Sequence, residues 1–191
     1  MASRRLMALV GHALLGACGL LLCAPAARAQ NAPGQNPVFV NDSPAATDAL
    51  ISMRDSLTRG TVDQAVRLAQ RLLDEHAEIL VAAEADGSLF TSVRARVHEA
   101  LLADGEFLAR YRRAQSAAAQ DDLAAGRVGA VERSRLMTAA GLEAALRVAA
   151  EHLEAGRFHA ALLTLREIER HPDRAGPAGA RVQTIARTLS R

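Results

Sequence analysis

The sequence contains no lysine, because all 23 of its basic residues are arginine. This absence excludes functions that need a lysine side chain, such as Schiff-base catalysis, the P-loop and the kinase-type phosphate site. Tryptophan is also absent, and aromatic residues make up only 3% of the chain. A core with so few large aromatic side chains must be built from Ala, Leu and Val, which suits close-packed helices better than a β-sandwich. The composition therefore predicts an all-α fold.

Cysteine is scarce, and both cysteines, Cys18 and Cys23, fall within an N-terminal apolar run. A short cationic start precedes this run, and small residues at Ala27 and Ala29 follow it. This order of segments is typical of a secretory signal peptide, here at residues 1–29 with cleavage after the last of them. We therefore predict an exported protein of the periplasm or cell envelope. Its mature chain has no cysteine, no disulfide and no membrane span.

Two alternatives remain for this N-terminal segment. The residues before Cys18 resemble a bacterial lipobox, in which the cysteine carries a lipid anchor. The sequence stays apolar after Cys18, whereas a lipoprotein normally becomes polar there. The second alternative is a retained membrane anchor, since the apolar run approaches the length that spans a bilayer.

Removal of the signal peptide changes the charge of the protein. The whole chain has a formal net charge of +2, but Arg4, Arg5 and Arg28 all precede the cleavage site. The remaining 20 arginines stand against 21 acidic residues, which leaves the mature chain at about −1 with neutral histidines. Nucleic-acid binding thereby loses its main electrostatic support, and we predict no nucleic-acid partner.

The mature chain begins with a polar leader and continues as a helical domain. Residues 30–44 have no apolar period and predict a flexible leader that ends in a helix cap within Asn41-Asp42-Ser43-Pro44. Residues 45–191 show the helical period throughout. Within them, residues 91–103 and 105–125 predict two further helices. No alternating run is long enough to predict a multistranded sheet.

An internal repeat is the most informative feature of the domain. Two segments share an apolar stripe, a glycine and a second apolar stripe, and each position recurs 96 residues later, as Gly60 does at Gly156. Such agreement across a turn is hard to obtain from helix amphipathicity alone. The first copy consists of Ala46, Leu50, Met53, Leu57, Gly60, Val62, Ala65, Val66, Ala69 and Leu72, and the second of Leu142, Leu146, Ala149, Leu153, Gly156, Phe158, Ala161, Leu162, Leu165 and Ile168.

Each copy predicts two antiparallel helices joined by a tight turn. Gly60 and Gly156 permit the positive φ angle that ends the first helix, and Thr61 has the spacing of a capping box that opens the second. The small residues Ala65 and Ala161 let the paired helices approach closely. A hairpin cannot bury its own stripe, so we expect the hairpins to stack.

Two weaker signals extend the pattern. A degenerate third copy surrounds Gly126, where charged residues replace part of the apolar stripe. Near the end of the chain, the first-helix pattern appears once more, 36 residues after the second copy. This predicts a C-terminal capping helix, with a chain cut short as the alternative. Its apolar positions are Ala178, Val182, Ile185 and Leu189.

The glycine turns carry a family resemblance. The segments from Gly60 to Ala65 and from Gly156 to Ala161 resemble the core of the tetratricopeptide repeat, and Pro172 resembles the proline that closes such a unit. The 36-residue step is close to that family's period of roughly 34 residues. The resemblance implies an array of stacked hairpins that binds a protein or peptide partner.

A second resemblance covers nearly the whole mature chain. Residues 38–43, 92–98 and 171–174 resemble the helical N-terminal region of planctomycete proteins that continue into a PQQ-like β-propeller. The propeller is absent from this sequence, so the resemblance implies no quinone or dehydrogenase activity here. It does imply a β-propeller domain as one candidate partner.

One basic cluster is a candidate binding site. Its arginines surround the only tyrosine of the chain, a combination that suits an anion or an acidic peptide. The alternative is a solvated helix face with local ion pairs. The cluster consists of Arg94, Arg96, Arg110, Tyr111, Arg112 and Arg113.

Other chemistry is weakly represented. No two histidines of the mature chain are spaced i, i+4, and they are interpreted as helix-end or surface residues without a metal. The acid pairs at 121 and 122 and at 167 and 169 point to different sides of a helix, which favours solvated charge over acid–base catalysis. We predict no catalytic residues, no metal and no cofactor. The histidines concerned are His76, His98, His152, His159 and His171.

These observations favour an exported helical-repeat scaffold that mediates protein–protein interaction in the cell envelope, and not an enzyme. One alternative is an accessory N-terminal segment of a larger PQQ-like β-propeller protein, truncated here. The other is an enzyme with an unrecognised helical site.

Overall fold

The computed structural model describes residues 43–83 and 89–176, together with residues 180 and 184. This part of the chain contains seven α-helices and one two-stranded antiparallel sheet, so the predicted all-α class is confirmed. The helices are α1 (Pro44–Thr58), α2 (Val62–Glu75), α3 (Val93–Ala103), α4 (Gly105–Ala124), α5 (Val128–Arg135), α6 (Ala139–Glu154) and α7 (Phe158–Ile168). The strands are β1 (Leu80–Ala82) and β2 (Phe90–Ser92), and a 3₁₀ turn covers Pro172–Ala175.

Several predictions fall outside the described residues. They include the signal peptide at 1–29, the lipid anchor at Cys18, nearly all of the leader at 30–44 and most of the C-terminal capping helix. Within that last segment Ala180 and Thr184 are helical and exposed. A search of the described part finds no helix that is long and apolar enough to cross a membrane.

Side-chain caps set the starts of four helices. The oxygens of Ser43, Ser92, Asp104 and Thr138 accept hydrogen bonds from backbone N–H groups in the first turns of α1, α3, α4 and α6. The cap predicted within residues 41–44 is therefore present, and Ser43 is the capping residue. The capping box predicted at Thr61 is wrong, because its hydroxyl donates to the carbonyl of Ser56 at 3.0 Å and so closes α1 instead of opening α2.

Three glycine turns share one geometry. Gly60, Gly126 and Gly156 have φ angles of 74°, 77° and 70°. In each turn the glycine N–H donates to the carbonyl three residues earlier, and the next N–H donates to the carbonyl five residues before it. This is the Schellman arrangement, which only a residue tolerant of positive φ forms easily. The degenerate copy around Gly126 thus turns in the same way as the two full copies.

The two full copies fold as helix hairpins, α1 with α2 and α6 with α7. Ala65 and Ala161, the small residues of their second helices, are fully buried. Among the described elements α2 also packs against α3, α4 and α5, whereas α7 packs mainly against α6. The second helix of the first hairpin therefore lies inside the domain, and that of the second hairpin lies at its edge.

The main core joins these helices around α4, whose Phe107 and Tyr111 are fully buried. A tight contact fixes the start of α6, where a Cβ atom added to Gly141 would lie 2.1 Å from the carbonyl oxygen of Arg135. No side chain larger than hydrogen fits there without movement of the backbone.

The small β-hairpin was not predicted. Its strands pair Leu80 with Ser92, Val81 with Thr91 and Ala82 with Phe90. Three residues per strand are too few to reveal an alternating pattern in the sequence. The hairpin also takes the first two residues of the helix predicted at 91–103, which begins at Val93 instead.

Candidate binding cleft

The six residues predicted as a partner-binding patch do not form one surface. Tyr111 is fully buried, and its hydroxyl oxygen lies 3.0 Å from both Gln70 Oε1 and Ser134 O. Burial raises the pKa of the Tyr111 phenol well above its ordinary value. Because this face of α4 packs into the core, the tyrosine stabilises the core and is not available to a partner.

The arginines of that set separate toward different neighbours. Arg112 pairs with Asp173, and Arg113 is exposed without an ion pair among the described residues. These contacts are those expected of the alternative interpretation, an ion-paired helix face. The other pairs of this face are Arg96 with Glu99 at 2.8 Å and Arg110 with Asp63 at 3.3 Å and Glu106 at 3.8 Å.

Arg94 has a different role, because it joins separate parts of the fold. Its guanidinium lies 3.1 Å from Glu167 Oε1 on α7, 3.3 Å from Glu132 Oε1 on α5 and 3.6 Å from Glu78 Oε1 before β1. We call these four residues the Arg94 cluster. Burial raises the pKa of Glu132 and of Glu167 and outweighs the opposite effect of Arg94. The planar guanidinium suits such multiple contacts, which a lysine could not reproduce.

Beside the Arg94 cluster, α3 and α7 enclose a cleft of about 350 Å³. We call it the α3–α7 cleft. Its α3 residues recur at helical spacing and so lie on one face, as do its α7 residues. The lining consists of Ser92, Arg94, Ala95, His98, Glu99, Leu102, Met137, Leu163, Arg166, Glu167 and Arg170.

Part of the cleft wall is apolar. Leu102 on α3 and Leu163 on α7 contribute to opposite sides, and the buried Met137, from the connection between α5 and α6, completes the lining. Leu163 is 48% exposed, although it is a large apolar residue. Apolar surface in a concave site favours the binding of an apolar group.

His98 also lines the cleft, and its ring carries an unsatisfied polar atom below the surface. Its Nε2 atom is buried and has no hydrogen-bond partner among the described residues. Burial, together with the charge of Arg94 and the proximity of His171, lowers the pKa of His98 to about 3. The ring is therefore neutral near pH 7. The interpretation of the histidines as surface or helix-end residues is wrong for His98, which lies in the middle of α3 with a buried ring nitrogen. His171 does lie at a helix end, as the N-cap of the 3₁₀ turn, but it is buried.

Two arginines at the cleft carry unmatched positive charge. Arg166 and Arg170 are exposed, and neither forms an ion pair within the described part of the chain. The carboxylates nearby are already engaged, Glu99 by Arg96 at 2.8 Å and Glu167 by Arg94 at 3.1 Å. The α3–α7 cleft thus combines an apolar wall, an orphan ring nitrogen and two free cations.

Comparison of the chain with protein-family models, curated proteins and solved structures finds no match. Inference about its function therefore depends on this geometry and on the sequence patterns.

One end of the cleft is held in place by His171. The Nδ1 atom of this residue accepts the N–H of Asp173 at 3.0 Å, so Nε2 carries the proton and donates to the carbonyl of Leu136 at 3.0 Å. Asp173 in turn pairs with Arg112 of α4. These contacts fix the 3₁₀ turn that follows α7 and thereby fix the end of α7 beside the cleft.

The sequence patterns did not identify most of this cleft. Leu163, Arg166 and Arg170 lie off the repeated apolar stripe of α7, and only Arg94 of the predicted patch lines the cleft. A usable signal was present, because two arginines spaced i, i+4 next to a leucine form a second face on an already amphipathic helix. Across residues 43–83 and 89–176, no group of three or more metal-ligating side chains is placed to hold an ion.

Proposed function

We propose that the protein is an exported binding scaffold that holds a segment of another protein in the cell envelope. The α3–α7 cleft is the contact site in this proposal. The observation that carries it is the orphan Nε2 atom of His98 beside an apolar wall, since a buried polar group without a partner is costly and is usually satisfied.

The architecture supports the same proposal. Two helix hairpins repeat at a 96-residue interval, and three turns share one hydrogen-bond pattern. Arrays of this kind, including the tetratricopeptide repeats that the turns resemble, present a concave surface built from successive hairpins. We interpret the described hairpins as such an array, with the α3–α7 cleft as part of its binding surface.

Photocrosslinking in the native host tests the binding role. A photoreactive phenylalanine derivative replaces Leu163 in the cleft, and a matched variant carries it at Ile51, which is 52% exposed on α1. We expect a discrete adduct with one other protein from position 163 and none from position 51. Equal adducts from both positions, or none from either with the protein at its native level, would contradict the proposal.

Export is a separate part of the proposal and has its own test. The cationic start, apolar run and small residues of positions 1–29 support it. N-terminal sequencing of the protein isolated from the envelope fraction should begin at Gln30. Recovery of an intact N-terminus from the cytoplasm would contradict export and leave the binding role open.

A further inference from the structure

Resting on the proposed function, we propose that the segment held in the α3–α7 cleft is an acidic peptide. An apolar side chain of that peptide lies between Leu102 and Leu163, and neighbouring carboxylates pair with Arg166 and Arg170. The inference names the chemistry of the partner, which the binding role alone leaves open.

Charge complementarity carries the first step. Arg166 lies in the last turn of α7 and Arg170 in the turn that follows it, and both line the same side of the cleft. Carboxylates at i, i+4 of a helix, or at i, i+2 of an extended segment, also lie on one side of their segment. Because the guanidinium fork matches a carboxylate and both arginines lack a partner in the described part, two acidic side chains fit them.

The orphan nitrogen of His98 carries the second step. A neutral imidazole presents either a donor or an acceptor at Nε2, according to its tautomer. Because Nε2 is buried in the free protein, a bound peptide reaches it only after the ring or a neighbouring side chain moves. A peptide backbone offers both an N–H and a C=O at every residue other than proline, so it can then satisfy either form. A peptide therefore fits this wall better than a simple carboxylic acid, which near pH 7 offers only acceptors.

The size of the cleft limits the length of the contact. Its volume of about 350 Å³ is near the lower end of the range of ligand pockets, about 300 to 1,000 Å³. There is room for one or two side chains of a partner and not for a whole domain. The specific contact is therefore short, with an apolar residue flanked by acids.

Selection from a random peptide library displayed on phage tests the inference. The full chain serves as bait, and the double variant Arg166→Glu with Arg170→Glu serves as the counter-selection. We expect the enriched sequences to contain an apolar residue flanked by Asp or Glu. Enrichment of basic or uncharged peptides that still need the cleft would overturn the acidic preference and leave the proposed scaffold intact. No enrichment over the double variant would overturn the inference outright.

Matched variants then measure the contribution of charge. An enriched peptide is synthesised, and its Kd is measured by fluorescence anisotropy. The Arg166→Glu, Arg170→Glu double variant should weaken binding at least about tenfold, and added salt should weaken wild-type binding in the same direction. The control is Arg71→Glu with Arg113→Glu, two exposed arginines outside the cleft, which should leave the Kd unchanged. An equal loss of peptide affinity in both double variants would indicate a nonspecific charge effect and contradict the inference.

His98→Leu separates binding from folding. It removes the orphan nitrogen and keeps the wall apolar, so the free protein should unfold at a higher denaturant concentration. The same variant should raise the Kd of the peptide several-fold, because the peptide backbone loses its hydrogen-bond partner. A variant that binds as tightly as the wild type would contradict the role given to His98.

Discussion

The hairpins α1–α2 and α6–α7 carry equivalent apolar residues, yet they bury them differently. On the first helices, Leu50 and its counterpart Leu146 are both buried. On the second helices, Val66 is 5% exposed, whereas its counterpart Leu162 is 38% exposed. Phe158, at the start of α7, is 61% exposed. The repeat thus preserves the contact inside each hairpin and not the contact between the hairpin and its surroundings.

Neighbouring elements explain the difference. α3, α4 and α5 cover α2, so Gln70 is buried and its side-chain amide contacts Asp74, Tyr111 and Ser134. The equivalent position on α7 is Arg166, which lines the α3–α7 cleft. The second helix is therefore covered by neighbouring helices in the first hairpin and partly accessible in the second.

The largest expected difference in stability between the two hairpins comes from a charge placed on the second helix of each. Val66→Asp puts a carboxylate into the core and should lower the free energy of unfolding by about 4 kcal/mol or prevent folding. Leu162→Asp changes a partly exposed position and should cost about 1 kcal/mol. Urea unfolding followed by circular dichroism measures both. Similar losses in the two variants would indicate that α7 is covered in solution.

A second pair of substitutions compares the first helix of each hairpin at equivalent positions, which are Gly141 of α6 and Ala45 of α1. Gly141→Ala should cost about 3 kcal/mol, because its Cβ would meet the backbone of Arg135 and Leu136. Ala45→Gly, at an exposed site in the first turn of α1, should cost less than about 1 kcal/mol. Thermal unfolding of the two variants gives the comparison, and a neutral Gly141→Ala would contradict the close approach of α6 to the preceding turn.

The glycine turns should respond alike in both hairpins. Gly60→Ala and Gly156→Ala meet no atom within 4 Å of the new Cβ, so only the positive φ angle opposes them. Each should lower the free energy of unfolding by about 1 kcal/mol. Gly105→Ala, which also has free space and has no positive φ, is the matched control and should be neutral or slightly stabilising. A large difference between the two turn variants would mean that one turn is not a simple helix end.

A further expected effect is a dependence of stability on pH beside the second hairpin, where groups with opposing pKa shifts partly cancel. The pKa of His98 is about 3 in the folded protein and 6.5 for an unperturbed histidine, so the unfolded chain binds more protons between these pH values. Stability should therefore fall as the pH decreases from about 6.5 toward 3. The raised pKa values of Glu132 and Glu167 act in the opposite sense and reduce the net change. His98→Leu should unfold with a smaller acid-induced loss than the wild type, as urea titrations at several pH values would reveal.

Sequence reasoning succeeded where the signal was local. Helical periodicity, the cap within residues 41–44 and the glycines at positions 60 and 156 depend on nearby residues, and the structure places them as the periodicity and spacing indicate. The patch around Tyr111 failed because burial depends on which helices cover α4, and that information is not local. The pairing of Arg94 with three carboxylates that are distant in sequence could not be predicted for the same reason. The cleft is formed by these contacts between residues that are distant in sequence.

The Arg94 cluster has a consequence for how the cleft responds to salt. α3 and α7 share little direct packing, and the Arg94–Glu167 ion pair links their facing surfaces, while packing against α6 and the contacts of His171 position α7. Apolar packing fixes a separation rigidly, whereas an ionic bridge beside water is softened by dissolved ions. Added salt should therefore weaken this link across the cleft and leave the apolar interior around α4 unchanged.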